Sequence, residues 1–150
     1  MLKLRKLYHT KTFEFFSAAN TTVMERPFFE GGVKAGFPSP AEDFSELSID
    51  LNVELLRNPS ATFFSRVNGD SMQDMGINHG DLLVIDKSME PRDGKIAVCY
   101  IDGEYTLKKI KIDKDCCWLI PANEKYKTVK VTAENEFIVW GIVTYVIKSF

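Results

Sequence analysis

Two side chains in this 150-residue chain sit where their types suggest chemistry: a serine at a sharp turn and a lysine on an apolar strand face. Ser71 follows Gly69 and Asp70, directly after the apolar stretch Ala61-Thr62-Phe63-Phe64-Ser65-Arg66-Val67. A turn at that point exposes the Ser71 hydroxyl. Gly-Asp-Ser is also ordinary turn chemistry, and a serine hydroxyl is a poor nucleophile until a base lies within hydrogen-bond reach. The chain has only two histidines to offer. His9 lies near the start, and His79 sits in Ile77-Asn78-His79-Gly80-Asp81, where a solvated loop residue is the plainer reading, so a histidine-based triad is poorly supported.

Lysine is the other base available to a serine, provided an apolar setting disfavours its ammonium form. In Glu104-Tyr105-Thr106-Leu107-Lys108-Lys109-Ile110-Lys111-Ile112, strand alternation puts Thr106, Lys108, Ile110 and Ile112 on one face and Tyr105, Leu107, Lys109 and Lys111 on the other. If the isoleucine face is the buried one, Lys108 is the lysine that loses its proton. Against this stands a lysine that merely snorkels from a strand edge. Periodicity nominates Lys108 without deciding between the two.

The elements that must position these residues are short strands. Asp102-Gly103 joins Lys95–Ile101 to Glu104–Ile112 and is a strong hairpin signal. Leu82–Asp86, Trp118–Ile120, Thr128–Val131 and Phe137–Ile147 complete the set with Ala61–Val67. Asp50 reads as the N-cap of one short helix through Leu51, Val53, Leu55 and Leu56, stopped at Asn58-Pro59. The expectation is a mostly β body, a small folded sheet or partial barrel with one short helix and an extended N-terminal arm.

At 17.1 kDa, with 45% hydrophobic and 27% charged residues, the chain fits one globular body. The net charge of −2 is uneven: residues 1–35 carry about +3 and residues 36–150 about −5. The acidic body has no electrostatic case for phosphate backbone, so no direct DNA binding is expected. Residues 1–34 show no sustained period but are too aromatic for a free tail, and read as an arm over the body or a neighbouring subunit. Lys34-Ala35-Gly36-Phe37-Pro38-Ser39-Pro40 then reads as an extended, threadable linker, because the prolines enforce that backbone. Cys99, Cys116 and Cys117 are odd in number and lack C-x-x-C spacing, which points to a reduced, cytoplasmic setting. A metal centre built on these cysteines and His79 lacks ligand spacing, so neither metal nor cofactor is expected. No apolar run reaches 18 residues, so no membrane span is expected.

Three motifs, Ala35-Gly36 within the linker, Gly69-Asp70-Ser71-Met72, and Gly103 to Lys109, stand in an order and at separations that resemble the LexA/UmuD family of self-cleaving Ser-Lys peptidases, most closely its UmuD branch. Gly80-Asp81-Leu82-Leu83 and Val139-Trp140-Gly141-Ile142-Val143 extend the likeness to the C-terminus. The resemblance implies that Ser71 attacks the Ala35–Gly36 bond with Lys108 as general base, and that backbone N–H groups of Asp70 and Ser71 form the oxyanion hole. It further implies an arm, residues 1–35, removed by self-cleavage from a β domain of residues 36–150. The implied partners are a second copy in a homodimer, RecA assembled on single-stranded DNA as stimulator, and a UmuC-type translesion polymerase in the SOS response.

The alternative is a non-catalytic binding module of the same fold, in which Ser71 and Lys108 are structural relics. The arm 1–34 departs from the family pattern. The lack of a helix-turn-helix argues against a repressor, and the lack of a membrane segment argues against signal peptidase, which uses similar chemistry.

Overall fold

The computed structural model describes residues 4–9, 13–18, 23, 25–29, 35 and 46–150. Strand is the dominant element among the described residues: β1 (Leu4–His9), β2 (Phe13–Ala18), β3 (Glu25–Phe29), β4 (Glu46–Asp50), β5 (Thr62–Val67), β6 (Leu82–Asp86), β7 (Ile96–Ile101), β8 (Glu104–Ile112), β9 (Cys117–Ile120), β10 (Val129–Val131) and β11 (Phe137–Ile147). The mostly β expectation holds, and β6, β8 and β11 have the bounds read from the sequence. One short α-helix, α1 (Leu51–Leu55), is capped by the Asp50 carboxylate, which accepts from the Asn52 N–H at 2.9 Å. Proline at position 59 blocks its continuation and starts a single 3-10 turn, Pro59–Ala61.

Nine strands form one antiparallel sheet in the order β1-β2-β5-β6-β11-β7-β8-β9-β10, while β3 and β4 pair separately. The two ends of the order are different strands, so the sheet is open. It is nevertheless folded over. Strands β2 and β8 lie five places apart, about 24 Å in a flat sheet at the usual spacing, yet the Phe15 and Tyr105 rings are 5.0 Å apart. Curling on that scale wraps one face around a core of Phe15, Val67, Met72, Ile77, Leu83, Ile85, Val98 and Leu107. Alternate residues of the same strands, Ala97, Cys99 and Ile110 with Leu119 and Ile142, pack a second cluster on the opposite face.

This two-sided packing qualifies the face reading of β8. Lys108 and Ile110 are buried as expected, but Leu107 on the other face is buried too, and Ile112 at the strand end is exposed. The arm is the larger difference. Read from the sequence as lacking a period, it contributes β1 to β3, and β2 pairs with β5 from Phe13↔Val67 to Ser17↔Phe63. Of the linker, Ala35 is described and exposed; Gly36 and the prolines lie outside the described residues.

Candidate active site

The β7–β8 hairpin turns tightly at Asp102 and Gly103, with φ of 48° and 89°. Two successive positive φ values are the type I′ geometry that Asp-Gly favours and that matches strand twist. The hairpin register sets Ala97 opposite Lys108 and Cys99 opposite Thr106. Lys108 is thereby fixed in the middle of a paired strand, with 9% of its surface exposed.

The Ser71 turn begins where β5 ends. Gly69 has φ of 114°, which a residue with a side chain rarely adopts, and this redirects the chain out of the sheet. Met72 then inserts into the first core cluster, so Ser71 stands immediately before a buried anchor. His79 Nδ1 accepts from the Gly69 N–H at 3.3 Å, so the imidazole braces the turn through its backbone. His9 lies in β1.

The structure brings Ser71 and Lys108 together: Nζ lies 3.2 Å from Ser71 Oγ. Nζ also donates to Thr106 Oγ1 at 2.7 Å and to the Leu107 carbonyl at 3.1 Å. A neutral amine has two N–H donors and one lone pair. In that neutral form, donors committed to Thr106 and Leu107 would leave the lone pair for the Ser71 hydroxyl. Burial pushes the Lys108 pKa below its ordinary 10.5, because the ammonium loses its hydration, while the Cys99 thiol group acts in the opposite sense. Cys99 itself is pushed up to about 12, chiefly by burial, so it stays a thiol in the core. Cys116 and Cys117 are half-buried and unbridged.

A loop with no motif of its own clamps the turn. After β9, the Ala122 N–H donates to the Ser71 carbonyl at 2.8 Å, and the Ala122 carbonyl accepts from the Asp74 N–H at 2.8 Å. Asn123 Nδ2 donates to the Asp70 carbonyl at 2.9 Å, and the Tyr126 hydroxyl donates to Asp70 Oδ1 at 2.6 Å. That phenol bond holds the Asp70 carboxyl below its usual range, with Lys125 adding to the effect. Because the peptide joining Asp70 to Ser71 is planar and trans, fixing its carbonyl also fixes the Ser71 N–H on the opposite side. The Tyr126 ring lies 5.9 Å from Lys108 Nζ, at the rim of the same site. Sequence reasoning missed Thr106 as a partner of Lys108, and it missed Asn123 and Tyr126 entirely. The Pro121-Ala122-Asn123 turn after a strand was the available signal, and it is a weak one.

Among the described residues, no helix is long and apolar enough to cross a membrane.

Comparison with known sequences shows the family. The profile described as Peptidase S24-like matches residues 27–144, leaving residues 1–26 and 145–150 outside the match. The chain is 43% identical over 118 residues to Protein SamA of Salmonella typhimurium, covering 79% of this chain and 81% of that protein. It is 37% identical over 132 residues to Protein MucA of Escherichia coli, covering 87% and 90%. The LexA repressor of Alcanivorax borkumensis is 39% identical over 119 residues, which span 79% of this chain and 57% of the repressor. With a match over most of its length, three motifs in order and the open, folded β architecture, the chain belongs to the S24-like peptidases of the LexA/UmuD group.

Proposed function

We propose that this protein is a self-processing serine peptidase that cuts its own Ala35–Gly36 bond, and that the cut form serves as accessory subunit of an error-prone translesion polymerase in the SOS response. The observation that carries the catalytic reading is the 3.2 Å approach of Lys108 Nζ to Ser71 Oγ at a buried, desolvated position. In the proposed reaction the neutral Lys108 amine takes the Ser71 proton as Oγ attacks the Ala35 carbonyl. The Asp70 and Ser71 N–H groups stabilise the oxyanion. Lys108 then hands its proton to the Gly36 amine as that group leaves. Water completes hydrolysis of the acyl-enzyme.

Small residues suit the scissile bond. Gly36 allows backbone to bend close to the nucleophile, and Ala35 asks for only a small pocket. The cut separates a fragment of residues 1–35, about +3, from a body of residues 36–150, about −5. The accessory role rests on likeness to MucA, SamA and their relatives. A homodimer in the cytoplasm, RecA on single-stranded DNA as stimulator and a UmuC-type polymerase as client belong to the same reading. The stimulator need supply no catalytic group, since favouring the conformation with the linker in the cleft is sufficient.

Incubating purified protein at raised pH and weighing the products tests the peptidase reading. The expected result is a pair of fragments meeting at Ala35 and Gly36, absent from Ser71→Ala. Mixing Ser71→Ala chains with chains blocked at Gly36 yields product only if cutting passes between chains.

A further inference from the structure

The arm is built into the sheet. Strand β2 adds to the β5 edge over five residue pairs, and β1 adds to β2 in turn. The Phe15 side chain is fully buried in the first core cluster, with its ring centroid 4.5 Å from Trp140 and 5.0 Å from Tyr105. That cluster also holds Met72, next to Ser71, and Leu107, next to Lys108. Across the linker, β3 of the arm pairs with β4 of the body. The two pieces also carry opposite net charge. Breaking one peptide bond between β3 and β4 removes none of these contacts.

One feature works against this seat. Ser65, the β5 residue opposite Phe15, is fully buried, and its hydroxyl is without a hydrogen-bond partner among the described residues. A buried hydroxyl left unpaired disfavours the state that buries it.

We propose that the arm fragment stays docked on the β5 edge after the cut, as a strand of the sheet with Phe15 in its socket, so that displacement of the fragment, not cutting, uncovers the edge. The β5 edge and the Tyr105–Trp140 socket then form a strand-acceptor surface whose first occupant is the chain's own arm. The consequence rests on the self-cleavage reading, but the docking can be tested without it.

A Ser71→Ala chain carrying a site-specific protease sequence between Gly31 and Gly32 is cut with that protease. The products are followed by native mass spectrometry and by amide exchange at micromolar concentration. Both pieces are expected to travel as one particle, with Phe63–Val67 amides still protected. Phe15→Leu should weaken retention by about tenfold or more, Ser65→Ala should strengthen it, and raised salt should weaken it. A folded body that sheds the fragment on cutting, or retention indifferent to Phe15→Leu, overturns the proposal. Pieces that stay together in a protein whose wild type never self-cleaves sink the peptidase reading alone; self-cleavage with immediate loss of the fragment sinks this one alone.

Discussion

The Ser71 turn and the β1–β2 hairpin reach the same apolar cluster, one through Met72 and the other through Phe15, but they are held there by different forces. The turn is fixed by directed polar bonds from Ala122, Asn123 and Tyr126, and by the bond that its own Gly69 N–H donates to His79. The hairpin is fixed by a backbone ladder and one aromatic plug. Hydrogen bonds specify where an atom sits, as a nucleophile requires. A ladder with a plug specifies only that a strand is attached, as a detachable element requires. In the proposed function one core serves two purposes: it anchors the proposed nucleophile, and it seats the segment to be cut off.

Replacing Lys108 by Met should have the largest effect on one side of this comparison and the opposite sign on the other. Self-cleavage should fall by at least about 10³-fold in a fragment-appearance assay, because the base is gone. Stability should rise. The folded pKa of Lys108 lies below the unfolded 10.5, so between the two values the unfolded chain binds the extra proton. Wild-type stability should consequently climb with pH across that window, and the Lys108→Met curve should lack that climb. Denaturant midpoints measured at several pH values check it.

Phe15→Ala probes the other region. If the arm is part of the core, unfolding of the intact chain should lose about 3–5 kcal/mol by denaturant titration. A loss below about 1 kcal/mol would mean that the plug is only laid on the surface. Gly141, where the β11 register with β7 shifts, sits against Ile85 of the cluster that both regions reach. A Cβ there would come within 2.5 Å of Ile85 Cγ2, and Ile85 is fully buried and cannot retreat. Gly141→Ala should destabilise by about 1–3 kcal/mol through overpacking, perturbing turn and hairpin alike. The smallest effect belongs to Tyr126→Phe, which keeps the ring near Lys108 and removes the bond to Asp70. Cleavage should slow several-fold with an unshifted pH midpoint and little change in thermal stability.

The two regions also differ in how legible they were. The β7–β8 hairpin announces itself through Asp102-Gly103, and alternation along β8 nominates Lys108, because both signals act within a few residues. Asn123 and Tyr126 reach Asp70 across 53 and 56 positions of sequence, using residue types that any loop contains. Nothing local marks them. The arm strands were missed for a related reason: Phe13-Glu14-Phe15-Phe16-Ser17-Ala18 does not alternate cleanly, and its strand character comes from pairing with β5. Alternation along β8 also understated burial, since a sheet that curls and packs on both faces buries Leu107 as well as Lys108.

The pH–rate profile of self-cleavage tests the central claim most directly. Scission between Ala35 and Gly36, absent from Ser71→Ala, is expected at a rate that rises with pH to a plateau and is half-maximal below 10.5, the direction in which burial moves Lys108. Scission that persists in Ser71→Ala, or a rate that ignores pH across that range, would contradict it.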